Sequence, residues 1–391
     1  MMNTRLTLSQ SFLAFVHSEK ASGVFLIVCT ALSLVLSNSA FSNDYLQFWQ
    51  TQVAGLSIEL WINDALMAIF FLLIELELER ELYSGELSNF KNALLPIAAA
   101  LGGTIVPAVI HYAMNHGTAT QAGIGIPMAT DIAFALGALA LLGSRVPSAL
   151  KVFVVAFAVI DDLCAIIIIA LFYTAQVKLH YLAGAIAIWL GLIVLNRRFR
   201  VMALFPYLIG GAAMWLCMLL SGVHATIAGV MLAFAIPYST KAEDQTSPSH
   251  RLEHSLHKPV AFLILPIFAL ANTAIVIPAD WMHSFSSSNS LGIIAGLALG
   301  KPLGVSLFCL AAVALGICRL PAELSWRHII GAGILGGIGF TMSIFITNLA
   351  FSGQHEVINA SKIAILAASL SAGVAGFLYL YGAKPVSTES I

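Results

Sequence analysis

The 391 residues are 59% hydrophobic and only 9% charged, against about 25% charged in an ordinary soluble domain. A formal net charge of −1 leaves no basic surface of the kind that holds nucleic acid. Apolar runs recur along the whole length, so the chain reads as one integral membrane domain spanning 1–391 and not as a soluble domain with an anchor.

Residues 6–17 place Leu6, Leu8, Phe12, Leu13, Phe15 and Val16 among polar residues, the pattern of a short amphipathic helix lying in the membrane interface. Ser37-Asn-Ser-Ala40 after the next apolar run resembles a signal cleavage site, but nearly everything downstream is itself apolar enough to insert. The segments at roughly 22–36, 58–78, 93–113, 121–143, 149–174, 181–196, 202–220, 222–237, 259–277, 291–315, 329–351 and 360–382 predict an all-α polytopic protein of twelve transmembrane helices. The seventh and eighth are short and nearly continuous. Segment 37–57, which follows the first span, predicts either a small hairpin able to form a dimer contact or an ordinary loop. Residues 238–258 predict a hydrophilic loop. Cys29, Cys164, Cys217, Cys309 and Cys318 lie in or beside apolar runs without a C-x-x-C pair, so they read as packing residues.

Twelve spans with both termini cytoplasmic place every Lys and Arg on the inner side except Lys178, Lys362 and the intramembrane Lys301. The positive-inside rule therefore selects that orientation.

Two spans carry breaking residues. The fourth contains Gly123, Gly125 and Pro127, followed by Thr130-Asp131; the eleventh contains Gly331, Gly333, Gly336, Gly337 and Gly339. Small residues also serve close helix packing, and that reading stands for each segment taken alone. However, each is the middle member of a span triplet, about 93–174 and 291–382, and the two triplets start on opposite faces. Paired interruptions in inverted repeats mark transporter binding sites. Interrupted helices also expose half-helix dipoles: Asp131 suits the positive N-terminal ends and Lys301, in Gly300-Lys301-Pro302, the negative C-terminal ends.

The fifth span is the chemically decisive one. Asp161-Asp162 lies midway along an apolar segment running from Lys151 to Phe172. With Asp131 and Lys301 this makes four charges near the membrane midplane, which would cost about 12 kcal/mol if left unpaired. Carboxylates with the Thr130 hydroxyl are hard oxygen donors suited to Na⁺ or Li⁺. Burial and like-charge proximity favour protonation of the same groups, so protons and a cation can compete for one site. Adjacent helical residues diverge by about 100°, so one Asp can ligate an ion while its neighbour either pairs with Lys301 or lines the approach.

The motifs Ile126-Pro-Met-Ala-Thr-Asp-Ile-Ala-Phe-Ala-Leu-Gly137, Ile160-Asp-Asp-Leu-Cys-Ala-Ile-Ile-Ile-Ile-Ala-Leu-Phe-Tyr173, Ser221-Gly-Val-His-Ala-Thr226, Arg251-Leu-Glu-His254, Gly300-Lys-Pro-Leu-Gly304 and Gly336-Gly-Ile-Gly-Phe-Thr-Met-Ser-Ile-Phe345 occur in this order. Together they make the chain resemble the NhaA-type bacterial sodium/proton antiporters over almost its whole length. The resemblance implies a twelve-helix inner-membrane antiporter, usually a homodimer in the lipid bilayer, that exports Na⁺ or Li⁺ in exchange for H⁺. It requires no cofactor and implies no enzymatic activity. It assigns ion binding to Asp161 and Asp162 with Thr130 beside them, and dipole compensation to Asp131 and Lys301, with a Lys301–Asp161 ion pair. Lys301 either carries a proton or only stabilises the site. Glu77, Arg80, Glu81, Glu253, His254 and His257 match positions at the inner funnel linked to pH response, and His224 matches a further histidine so linked. Two departures stand out: Glu75 and Cys164 occupy usual glycine positions. The competing function class is a sodium-coupled symporter of an organic solute, which would need a roomy polar or aromatic pocket that the sequence does not signal.

Overall fold

The computed structural model describes residues 10–173, 177–239, 246–278 and 281–383. Among the described residues, seven helices are long and apolar enough to cross a membrane, or up to nine if each of two bent pairs forms one span. The chain is a mostly helical, multi-pass membrane protein.

Helix α1 (Gln10–Ser37) runs without a break, so the expected interfacial helix at 6–17 is not a separate element; residues 6–9 lie outside the described ones. Helix α2 (Ser42–Gln50) turns away by 114° and leads into β1 (Gln52–Val53) and β2 (Leu56–Ser57), an antiparallel pair. Ala54 and Gly55 between them both have positive φ, the geometry of a two-residue type I′ turn. The hairpin reading of segment 37–57 thus holds for its last six residues.

Helix α3 (Ile58–Trp61), a π turn at Ile62–Leu66 and helix α4 (Met67–Tyr83) follow one another directly. Helix α5 (Phe90–Asn115) stays helical through Pro96 and Pro107. Next come a 3₁₀ segment (Gln121–Met128), the extended residues 129–131 and helix α6 (Ile132–Leu142). Helices α7 (Ser148–Phe172), α8 (Leu179–Arg197) and α9 (Phe205–Ser221) are uninterrupted. The expected eighth span at 222–237 contains only α10 (Ile227–Ala233), about 10 Å long at helical rise. Gly222 in the left-handed region ends α9 just before it.

Helix α11 (Pro248–Pro259) takes up the second half of the expected 238–258 loop, capped by the Ser247 side chain, and continues through a π turn (Val260–Ile264) into α12 (Leu265–Asn272). Lys241 lies outside the described residues. After α13 (Trp281–Ser284), α14 (Ser288–Ala295) passes through a π turn (Gly296–Gly300) into α15 (Lys301–Ala314). The cause of this last slip is local. Pro302 has no N–H to give, and the Lys301 N–H reaches back five residues to the Gly296 carbonyl. Helices α16 (Trp326–Gly336) and α17 (Phe340–Ala350) meet at a 45° bend, and α18 (His355–Tyr381) closes the described fold. Lys384 lies outside it.

Helices α5 and α15 cross at a pair of glycines. A Cβ on Gly102 would collide with the Gly304 carbonyl, and one on Gly304 with the Gly102 carbonyl. Only glycine at both positions lets two backbones touch, and lipid offers no hydrophobic force that would otherwise hold them together. This contact sets the helix carrying Lys301 against the helix carrying Thr104, with α7 packed on α5.

Candidate functional site

The two interrupted segments cross each other through hydrogen bonds between their free ends. The Thr130 hydroxyl donates to the Gly336 carbonyl at 2.9 Å and the Asp131 N–H to the Ile338 carbonyl at 2.6 Å. Gly336 ends α16 and Ile338 lies two residues past it, where carbonyls lack helical partners. In the other direction, the Ser343 hydroxyl donates to the Ile126 carbonyl at 2.7 Å.

Asp131 serves two helix N-termini at once. One carboxylate oxygen accepts from the Phe134 N–H at 3.2 Å in α6; the other accepts from the Thr341 N–H at 3.0 Å, and from the Thr341 hydroxyl, in α17. A buried negative charge is balanced here by two positive helix ends. Lys301 lies beside the Asp pair. Its Nζ lies 2.6 Å from Asp161, and the α16 C-terminal carbonyls are met by the neutral donors just described.

Asp161 and Asp162 share a helix turn but not an environment. Asp161 accepts from Lys301 through one oxygen and from the Thr104 hydroxyl at 3.1 Å through the other. The Lys301 ammonium also lies 5.6 Å from the Phe157 ring centroid, a cation–π partner one helical turn before Asp161. Asp162 is fully buried, and neither of its oxygens has a hydrogen-bond partner. A carboxylate held this way is neutralised by a bound proton or by a cation. Among the described residues no group of three or more His, Cys, Asp and Glu side chains is arranged around a metal ion. A cation at Asp162 would therefore draw further oxygens from hydroxyls, backbone carbonyls freed by the breaks, and water.

The residues expected at an inner funnel form a separate cluster on α4 and α11. Arg80 lies 2.9 Å from Glu253 and 3.2 Å from Glu81, and His257 lies 3.5 Å from Glu77. His254 is exposed at the same rim. His224 is not with them. Its Nε2 is 2.8 Å from the Tyr173 carbonyl, just past the far end of α7. Tyr173 in turn ties that end to the 3₁₀ segment, its hydroxyl donating to Ala122 and accepting from the Gly125 N–H.

Thr104 is a contact that reading the sequence does not single out, while Thr341 and Tyr173 lie inside quoted motifs without a role of their own. Thr104 follows Gly102-Gly103 and is the lone hydroxyl in the apolar stretch from Ala93 to Val109, which is the available signal for it.

The sequence profile of the Na⁺/H⁺ antiporter 1 family matches residues 13–380. The chain belongs to that family. A Na⁺/H⁺ antiporter NhaA of Dechloromonas aromatica is 67% identical over 380 residues, covering 97% of this chain and 98% of its own. One from Cytophaga hutchinsonii is 59% identical over 386 residues, covering 98% and 99%. The NhaA of Helicobacter pylori is 43% identical over 430 residues, covering 97% and 98%. Membership makes this protein an antiporter-family membrane protein.

Proposed function

We propose that the protein exports Na⁺, and Li⁺ as a substitute, across the bacterial inner membrane in exchange for protons, by alternating access. One observation carries the reading: Asp162 is a fully buried carboxylate without a hydrogen-bond partner, one residue from a carboxylate that is paired. Ionised and empty, it is too costly to hold in a membrane interior, so each conformation must leave it with either a proton or a cation. Competition between the two occupants couples their movements.

Cation entry beside Asp162 also acts on the Asp161–Lys301 pair, and coupled groups exchange protons as a unit. Release of about two protons per monovalent ion then makes the cycle electrogenic. Thr130 contributes its hydroxyl oxygen beside the site; Asp131 holds the broken helices in register. The Arg80, Glu81, Glu253, Glu77, His254 and His257 rim, together with His224, sets the pH range of activity. The remaining architecture follows the same reading: twelve helices, inverted repeats at about 93–174 and 291–382, cytoplasmic termini, and a homodimer joined through the outer hairpin.

The test is reconstitution in proteoliposomes with a pH-sensitive dye, adding Na⁺, Li⁺ and K⁺ across a pH series. Dequenching with Na⁺ and Li⁺ but not K⁺ supports the reading. Equal proton movement without sodium refutes it.

A further inference from the structure

Glu75 is a second fully buried carboxylate, and neither of its oxygens has a hydrogen-bond partner. Its place on α4 follows from its helical neighbours. Phe71 and Leu78 lie on the same face, four residues before and three after. Phe71 packs on Phe345 of α17, with ring centroids 5.5 Å apart. Leu78 belongs to a buried cluster with Ala156 and Val159 of α7. Glu75 therefore points into the space between α7 and α17.

Its height follows as well. It lies one turn from Leu78, about 4.5 Å along α4. One turn along α7 from Val159 is Asp162. The two orphaned carboxylates are thus at matching levels on facing helices. Toward the inner end of α4, Glu79 lies four residues on and on the same face. It is also buried, and accepts from the Ser249 hydroxyl of α11 at 3.3 Å. Beyond it are Glu253, Arg80 and Glu81 of the rim. The other elements that meet this part of α4, namely α10, the π turn Val260–Ile264 and, through Phe345, α17, contribute no charged side chain. A row of carboxylates therefore leads from the inner rim through Glu79 and Glu75 to Asp162.

Glu75 and the Asp pair do not converge on one point, since no three-acid metal group forms among the described residues. That separation favours a second position over a third ligand. We propose that Glu75 is a second cargo seat, at which the exported hard cation docks on the inner approach before it passes to Asp162. Between cations the seat holds a proton, as Asp162 does. This inference rests on the sodium/proton reading above and adds a residue to it.

The test measures exchange in proteoliposomes against Na⁺ concentration for the wild type, Glu75→Gln and Glu75→Asp. Loss of the seat raises the Na⁺ concentration for half-maximal exchange several-fold in Glu75→Gln and keeps the maximal rate within about twofold, the signature of lost binding without lost chemistry. Glu75→Asp, which retains the charge on a shorter arm, falls between. Sodium-induced thermal stabilisation of the purified proteins shifts in the same order. An unchanged half-saturation in Glu75→Gln overturns the proposal; if that variant does not fold, an unchanged half-saturation in Glu75→Asp does so. A wild type that exchanges no sodium refutes the functional reading instead, so the two failures are separable.

Discussion

Asp131 and Asp162 are both acids buried in the membrane interior, and the structure treats them in opposite ways. Asp131 receives hydrogen bonds from the N-termini of α6 and α17 and from Thr341, so its charge is spent on joining two broken helices. Asp162 receives none. A saturated carboxylate belongs to the scaffold because its partners are already in place. An unsaturated one is usable because its partner must arrive from outside. The same contrast runs through the Asp pair itself, where Asp161 has Lys301 and Thr104 and Asp162 has neither.

Substitutions at the two kinds of site should separate transport from stability. Asp162→Asn should bring exchange down to the background of empty vesicles with little loss of folded protein, since a neutral amide replaces a carboxyl group that has no hydrogen-bond partner to lose. Activity near that of the wild type would break the distinction. Lys301→Met leaves Asp161 buried without its counter-charge and is expected to destabilise the protein by about 3–5 kcal/mol, read as a lowered midpoint in detergent thermal unfolding. An unchanged midpoint would show that Asp161 finds another partner. Asp131→Ala removes charge-assisted hydrogen bonds to two helix ends, worth about 1.5–3 kcal/mol each at most. Its unfolding midpoint should fall while the sodium half-saturation of the folded fraction stays put, and a shifted half-saturation would move Asp131 into the cargo site. Gly102→Ala forces the α5–α15 backbones apart, at about 1–3 kcal/mol for an overpacked contact. The effect at the rim should be smallest: Arg80 is 38% exposed, and Arg80→Gln should cost less than about 1 kcal/mol in stability. Its expected signature is a displaced pH profile of exchange at constant maximal rate.

Much of this contrast was legible in the residues. Asp161, Asp162, Asp131 and Lys301 stand out because ionisable side chains are rare in apolar spans, and the Gly and Pro clusters mark where α6 and α17 begin anew. What the sequence does not carry is partnership. Nothing in the order of residues says that Asp131, and not Asp161, would be saturated by Thr341, because that bond joins positions 210 residues apart. Composition alone likewise does not show how 222–237 and 238–258 are built. The first is apolar enough to span but is divided by turns around a seven-residue helix. The second is polar enough for a loop, yet Ser247 and Pro248 start a helix that its neighbours continue. Glu75 was visible only as a departure from the usual glycine beside other glutamates. Its burial, and its level opposite Asp162, come from how α4 packs on α7.

Charge movement on solid-supported membranes gives the sharpest measurement. A Na⁺ concentration jump applied to wild-type proteoliposomes should produce a transient current, and Asp131→Asn should retain it in the folded fraction. Asp162→Asn should produce none. A sodium-evoked current of normal size in Asp162→Asn would contradict the claim that the unpartnered carboxylate is where cation and proton compete.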